Sequence, residues 1–298
     1  MCAQSAITIH SNDLASNALL DAVEIGMRNA VTTDSDRLTP LIATACSHHL
    51  MSGGQRVRAR LALHAGLALG VSRQTCVILA TACELLHNAS LIHDDLQDQD
   101  RLRHGVPTIW SMYGSDAAIC AGDLMLASAY GCLSQVDETH LLPALLGRML
   151  ARTTSAIHGQ CADLSLQART GDDVTTYKNI AIAKSGALLS LPTELALVAA
   201  NQTQYLALAR AAAEAFAVGY QIVDDIDDVE KDRGVNDVPR SLNVVLLLQK
   251  AGHGEAAEEV ARDLGLRHFE VAMNAAQQLP KESGDLLVVL ARQWSARL

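Results

Sequence analysis

With 298 residues, the chain is long enough for one large domain or two ordinary ones, with a sizeable buried core. It is 49% hydrophobic and 19% charged but only 3% aromatic. Ala and Leu, both strong helix formers, outnumber the residues favoured in strands, so an all-α protein is expected. A formal net charge of −10 argues against a nucleic-acid-binding surface and hence against nucleic-acid partners.

Residues 1–12 are expected to be disordered. They lack the basic stretch and apolar run of a signal peptide, which predicts a cytoplasmic protein. Further on, apolar residues recur at helical spacing: Leu61, Ala65, Ala68 and Leu69; Leu79, Ala82 and Leu86; Leu142, Leu145, Leu146 and Met149. Breakers at Ser52-Gly53-Gly54, Gly70-Val71-Ser72, Gly105-Val106-Pro107, Thr170-Gly171-Asp172, Gly234 to Pro239 and Gly252-His253-Gly254 divide the chain into about ten or more helices. No apolar run of about 18 residues is uninterrupted, so no transmembrane segment is expected. The pattern predicts a single domain over residues 1–298, a helical bundle around a central cavity. Seven cysteines (2, 46, 76, 83, 120, 132 and 161) are scattered without a CxxC pair, which suits a reducing compartment.

Two acidic runs interrupt this apolar text: Asp94-Asp95-Leu96-Gln97-Asp98 and Asp224-Asp225-Ile226-Asp227-Asp228. Both read DDxxD. On a helix this spacing puts the first and last carboxylates on one face with the second beside them. A single acidic run is usually a solvated face, but these follow Leu91-Ile92 and Ile222-Val223, which point inward. Two such faces turned on one cavity would repel unless cations lay between them. Hard oxygen ligands favour Mg²⁺, an ion commonly shared between carboxylates and substrate phosphates. A diphosphate site is the chemistry this pattern suits.

Around the runs stand further short motifs: Glu84-Leu-Leu-His87 leading to Ile92-His93-Asp94, then Arg103-His104-Gly105-Val106-Pro107-Thr108, Tyr113-Gly114 and Gly122-Asp123-Leu124. After them come Gly159-Gln160 with Asp163-Leu164, Lys184-Ser185-Gly186 and Tyr220-Gln221. This ordered series, over about residues 50–230, closely resembles the trans-isoprenyl diphosphate synthase (polyprenyl synthetase) family. The resemblance implies an isoprenoid-synthase-type bundle, commonly homodimeric. It also implies a prenyl transferase that condenses isopentenyl diphosphate with an allylic diphosphate. Carried over by position, Asp94, Asp98 and Asp224 hold the metal, and Asp95, Asp225 and Asp228 support it. Arg103 and Lys184 contact diphosphate, while Gln160 and Gln221 line the same cavity. The implied cofactor is Mg²⁺, about three ions with substrate bound, with Mn²⁺ as a substitute. No protein nucleophile is required, because ionisation of the allylic diphosphate gives the carbocation that the second substrate's double bond attacks.

The chain departs from the family where the second diphosphate would bind. The family's lysine after the paired glycines is replaced in Gly53-Gly54-Gln55-Arg56-Val57-Arg58, and the second residue of its arginine pair is His104. Arg58 and His87 remain. Each lost charge-assisted contact costs about 1.5–3 kcal/mol, which a protonated His104 would partly recover. This opens an alternative: a cyclase-like or irregular-coupling enzyme that ionises the allylic diphosphate without normal elongation. The segment after the second run also differs, and Lys231, Arg233 or Arg240 would replace its usual closing loop. Asn236-Asp237 with Ser241 is faintly similar to the second metal motif of terpene cyclases. Ala82, Leu86, Ala89 and Ser90, before Asp94, raise no aromatic floor, which favours a C15–C20 or longer product. Met125 and Tyr130 are candidates to close the tunnel lower down. The closing Trp294 to Leu298 is assigned no catalytic part.

Overall fold

The structure, a computed structural model, describes residues 14–32, 40–166, 173–233 and 242–298. The all-α expectation holds. The helices are α1 (Leu14–Val31), α2 (Pro40–Met51), α3 (Val57–Leu69), α4 (Arg73–Gln97), α5 (Ile109–Tyr113), α6 (Ser115–Cys132) and α7 (Leu142–Leu166). They continue as α8 (Val174–Ala181), α9 (Ala187–Ala199), α10 (Leu206–Asp227), α11 (Val229–Asp232), α12 (Val244–Leu248), α13 (Ala257–Ala276) and α14 (Asp285–Ser295). The breakers at residues 170–172 and 234–239, and the expectation for residues 1–12, fall outside the described residues.

Local chemistry explains the punctuation. Gly70 ends α3 at φ 88°, where its N–H and that of Val71 reach back to the carbonyls of Leu67 and Gly66. Two residues on, the Ser72 hydroxyl accepts from the Thr75 N–H and caps the 25-residue α4. The breaker at residues 105–107 hides a hairpin that the sequence pattern did not disclose. Leu102–Arg103 (β1) pairs antiparallel with Val106–Pro107 (β2). The two-residue turn between them, His104 and Gly105, has φ 53° and 80°, as a type I′ turn requires.

The chain divides into two compact helical units. One comprises Leu19–Thr153 and Leu191–Leu206. Here α4 packs between α3 and α6, and α2 lies against α5 and α6. Leu79, Leu85, Ile92, Met125, Leu145 and Met149 are fully buried in this unit. Its most polar buried feature is Glu194, fully buried beside the guanidiniums of Arg152 (3.0 Å) and Arg148 (3.6 Å). The other unit comprises Thr154–Ser190 and Ala207–Leu298, with the residues up to Ala18. Its core joins Tyr177 and Ala181 of α8 to Val218 and Ile222 of α10, with Val244, Val245 and Leu248 of α12 and Ala257 and Ala261 of α13. Helices α13 and α14 pack together at its end.

By length and composition, four helical stretches are apolar enough to cross a membrane: Arg73–Gln97, Ser115–Gln135, Val174–Ala199 and Thr203–Asp227. Isolated charges break the runs in the sequence without lowering mean hydropathy much, because Ala, Leu, Val and Ile surround them. In the first and third, 78% of the apolar window is buried inside the protein, which accounts for that apolarity as core. The six described cysteines form no disulfides; Cys46, Cys76, Cys83 and Cys132 are buried, Cys120 and Cys161 exposed.

Candidate active site

The first acidic run closes α4. The helix keeps its hydrogen bonds to the end, with the Asp98 N–H donating to the Asp94 carbonyl. Asp94 is half-buried and Asp98 exposed, one turn apart on one face, while Asp95 is turned into the protein at 1% exposure. There the Arg103 guanidinium grips Asp95, with Nε at 2.9 Å and Nη2 at 2.7 Å from Oδ1. The other oxygen, Oδ2, is buried without a hydrogen-bond partner. Burial outweighs the arginine, so the carboxyl sits above its usual range. Arg103, expected on diphosphate, thus also ties the hairpin to the acidic helix. Exposed His104 holds the tip of that hairpin, its left-handed backbone set by the turn.

Beneath this end lies a cationic cluster built from α2, α3, α4 and the hairpin. Gly53, Gly54 and Arg56 all take positive φ, which folds the turn before α3. Arg56 is committed by that geometry: Nε meets Glu24 Oε1 at 2.5 Å and Nη2 donates to the Leu50 carbonyl. Gln55 is exposed, and its carbonyl accepts from Arg60 Nε. Arg58 and His87 act on one another, Arg58 being the charge with the strongest effect on His87. Burial first, then Arg58 and Arg103, hold His87 well below the usual imidazole range. Its Nδ1 is buried without a hydrogen-bond partner. Glu84, one turn earlier on α4 and buried, accepts from the Ala59 N–H. Burial pushes its carboxyl up while Arg58 and Arg56 pull it down.

The second run closes α10 with its second aspartate again turned inward. Asp224 and Asp228 are half-buried, and Asp225 is buried. Neutral donors hold Asp225: Gln221 Nε2 at 3.0 Å and the Val244 N–H at 2.8 Å. Asn243 completes the staple. Its amide donates to the Asp225 carbonyl and to Asp232, while its Oδ1 accepts from the Val245 and Leu246 N–H groups and starts α12. Burial pushes Asp225 up to about 7, against Gln221, Val244 and Tyr177. Asp224 also rises to about 7 through burial, moderated by the Tyr220 hydroxyl and Arg297. Gln221, expected to face the cation, is thus engaged with Asp225. Lys231 reaches Asp228 at 3.3 Å and Arg233 reaches Glu230 at 3.6 Å. Arg240, Asn236, Asp237 and Ser241 lie outside the described residues.

In the same unit, Lys184 sits in a single π-turn, Ile182–Gly186. Its Nζ donates to Asp163 Oδ2 at 2.8 Å. The Gly159-Gln160 motif explains itself here: a Cβ on Gly159 would stand 2.4 Å from the Lys184 backbone nitrogen. The glycine lets α7 touch the π-turn, which brings Asp163 and Lys184 together, and the Oε1 of neighbouring Gln160 is buried.

Sequence reasoning missed several partners. His93 lies over Gly122, with its Nε2 at 3.6 Å from Asp123 Oδ1. The neighbouring motifs Ile92-His93-Asp94 and Gly122-Asp123 were the available signal. His49, buried at 5% exposure, hydrogen-bonds Asn88 Oδ1 through Nε2 at 3.1 Å and joins the cationic cluster. Arg297, in the tail assigned no part, pairs with Asp227 on α10.

Among the described residues, no three His, Cys, Asp or Glu side chains gather closely enough to hold a metal ion. Each helix end offers instead a pair of carboxylates one turn apart. That donor set fits Mg²⁺, which binds few carboxylates and takes its remaining ligands from water and phosphate. A carboxyl raised by burial, such as Asp224, gains most from a cation that keeps it ionised.

Two helix C-termini, each with its second aspartate stapled inward and its first and fifth turned outward, define a class of all-helical proteins with paired acidic motifs. The chain belongs to the polyprenyl synthetase family, which residues 39–238 match. It is 34% identical over 76% of its length to geranylgeranyl pyrophosphate synthase 9 of Arabidopsis thaliana, covering 68% of that protein. It is 31% identical to the (2E,6E)-farnesyl diphosphate synthase of Mycobacterium tuberculosis, matching over 64% of this chain and 56% of that one. The match therefore spans little more than half of the mycobacterial relative. The fold is shared with the geranylgeranyl pyrophosphate synthetase of the archaeon Geoglobus acetivorans, at a TM-score of 0.83 and 21% identity, over 94% of this chain and 98% of that one.

Proposed function

We propose that the protein is a Mg²⁺-dependent prenyltransferase. It condenses isopentenyl diphosphate with an allylic diphosphate to give a longer trans-prenyl diphosphate of C15–C20 or more. The observation that carries this reading is the repeated burial pattern of the two acidic runs in a chain of the polyprenyl synthetase family. Prenyl diphosphate synthases among its relatives support it. Both units act as one domain, with Asp94, Asp98 and Asp224 as metal ligands and Asp228 beside them. Asp95 and Asp225 fix the helix ends, Asp95 through Arg103 and Asp225 through Gln221.

In the reaction the allylic C–O bond breaks and diphosphate departs with the electron pair. The isopentenyl double bond then attacks the allylic carbon, a C–C bond forms, and a proton passes to the departed diphosphate, leaving a new double bond. Bound Mg²⁺ would neutralise charge on the departing diphosphate. Lys184, placed by Asp163, adds a positive charge, and Arg58 and Arg103 supply the cationic ground for the second diphosphate, with His87 beside them as a neutral hydrogen-bonding group. Ala82, Leu86 and Ala89 on α4 are buried and small or aliphatic, so that wall accepts a long product. The protein acts as a cytoplasmic homodimer, whose contact would cover apolar side chains such as Ile119 and Leu150, about half exposed here (47% and 58%).

The test is incubation with Mg²⁺, labelled isopentenyl diphosphate and C5, C10, C15 and C20 allylic diphosphates in turn, with products weighed by mass spectrometry. Labelled, longer diphosphates support the reading. Diphosphate release with unlabelled hydrocarbon or alcohol would favour the cyclase-like alternative, which exposed Gln55 and His104 motivate. In that case Gln55→Lys with His104→Arg should restore elongation, and no gain would remove those two positions as the explanation.

A further inference from the structure

The chain has only two Phe, two Trp and five Tyr. Four of these nine aromatics form one continuous run alongside α10. Phe269 meets Phe216 edge-on with ring centroids 5.8 Å apart, Phe216 stacks with Tyr220 at 6.3 Å, and Tyr220 meets Trp294 edge-on at 4.5 Å. The run passes the acidic site at its third ring, since Tyr220 lies one turn before Asp224 and its hydroxyl donates to the Asp224 carboxylate. The tail beyond α14 locks the Trp294 end of the run. Arg297 lies over the Trp294 ring at 4.4 Å and pairs with Asp227 on α10 at 2.5 Å. One residue further, the Leu298 carbonyl accepts from Arg262 Nη1 at 2.8 Å, and its side chain packs over Gly265 and the core around Ile222.

We propose that the tail Trp294–Leu298 is a positioning strap for the second acidic motif. Trp294 fixes the Tyr220 ring so that its hydroxyl orients the Asp224 carboxylate, while Arg297 clamps Trp294 and Asp227 in register. The inference rests on the reading of Asp224 as a ligand for Mg²⁺ bound with a diphosphate. A bulk stabilising role is the weaker account, because an ion pair between half-exposed groups contributes little to folding. A carboxylate aimed by a hydrogen bond from a packed phenol, by contrast, is arranged as second-layer partners of metal ligands are.

The test measures binding of inorganic pyrophosphate by calorimetry across a Mg²⁺ titration, with thermal melting of every variant. Tyr220→Phe and Arg297→Ala should each raise the Mg²⁺ concentration for half-maximal binding about tenfold, the scale usual for partners that orient metal ligands. Their melting temperatures should stay near wild type, and Arg297→Lys, which keeps the ion pair, should recover much of the loss. Asp224→Ala is the control and should remove the Mg²⁺-dependent binding. If it does while Tyr220→Phe and Arg297→Ala keep the wild-type midpoint, the strap is refuted and the metal reading stands. A lowered melting temperature with an unshifted midpoint refutes it equally, leaving the tail a folding element. Wild-type protein without Mg²⁺-dependent pyrophosphate binding would overturn both readings.

Discussion

The ends of α4 and α10 carry the same five-residue pattern yet are built on opposite electrostatic plans. In each, the second aspartate is buried and staples the segment that follows: Asp95 to the hairpin, Asp225 to the start of α12. The staple at α4 is a guanidinium, set above a cluster containing Arg56, Arg58, His49 and His87. The staple at α10 consists of an amide and a backbone N–H, and both of its leading aspartates are pushed up to about 7 by burial. The inward aspartate of one run is thus held by a guanidinium and that of the other by neutral donors, while the cations at the α10 end, Arg297 and Lys231, pair with the flanking Asp227 and Asp228; Asp224, raised by burial, has the greater need of a bound metal. An identical motif does not imply an identical environment.

The largest effects expected are on turnover. Asp94→Ala and Asp224→Ala should each reduce product formation by roughly a thousandfold or more, as loss of charge stabilisation at a reacting diphosphate does. The comparison adds a distinction. Excess Mg²⁺ should recover more activity in a variant weakened at the α4 end, such as Asp98→Asn, than in Asp224→Asn. Equal responses in a Mg²⁺-dependent rate assay would show that the two ends do not differ in this way.

Next come the staples themselves. Arg103→Leu strands the Asp95 carboxylate in a buried setting and should lower stability by about 2–3 kcal/mol, measured by urea unfolding. Gln221→Leu removes one neutral donor but leaves the Val244 N–H on Asp225, so its cost should be nearer 1 kcal/mol. Similar losses for both would mean that the charged staple has no special weight.

Much of this was legible in the sequence, for identifiable reasons. Helical periodicity and the capping residues Gly70 and Ser72 act locally, so the helix count and the placement of both acidic runs followed from short windows. Partners distant in sequence did not. Asp225 and Val244, Tyr220 and Trp294, and His49 and Asn88 meet only because helices pack, and no local pattern encodes those pairs. The hairpin escaped because two-residue strands carry no alternation to read, leaving only the turn residues as signal. Glycines tell the same story. Gly159 and Gly122 stood out as motif letters, but their purpose is visible only in what a side chain would strike.

Those two glycines also give a graded prediction, one from each unit. A Cβ at Gly159 would meet backbone, Lys184 N at 2.4 Å, which cannot swing aside. Gly159→Ala should therefore cost about 1–3 kcal/mol, with Lys184 displaced from Asp163. At Gly122 the obstacle is the ring of His93, a side chain able to change rotamer, so Gly122→Ala should cost under about 1 kcal/mol. Thermal melts of the pair decide it: an equal or reversed order would contradict the contrast between backbone and side-chain neighbours.

The smallest effect concerns the cationic cluster and appears only in acid. His49 is held near pKa 4, first by burial and then by Arg103, with the Asn88 hydrogen bond opposing and Arg56 and His48 adding to the depression. In the unfolded chain the same imidazole titrates near 6.5. Between those values the unfolded state binds the extra proton and the folded state does not, so stability is full above about pH 6.5 and falls as pH drops toward 4. At pH 5.5 this amounts to about 1 kcal/mol from His49. His87, depressed further, adds a loss of the same sign. His49→Gln keeps a donor for Asn88 Oδ1 but cannot titrate. Its urea-unfolding stability should therefore fall about 1 kcal/mol less than wild type between pH 8 and pH 5.5, with the residual slope left to His87 and the carboxylates. Parallel curves would mean that His49 is not held neutral by its buried place beside the α4 end.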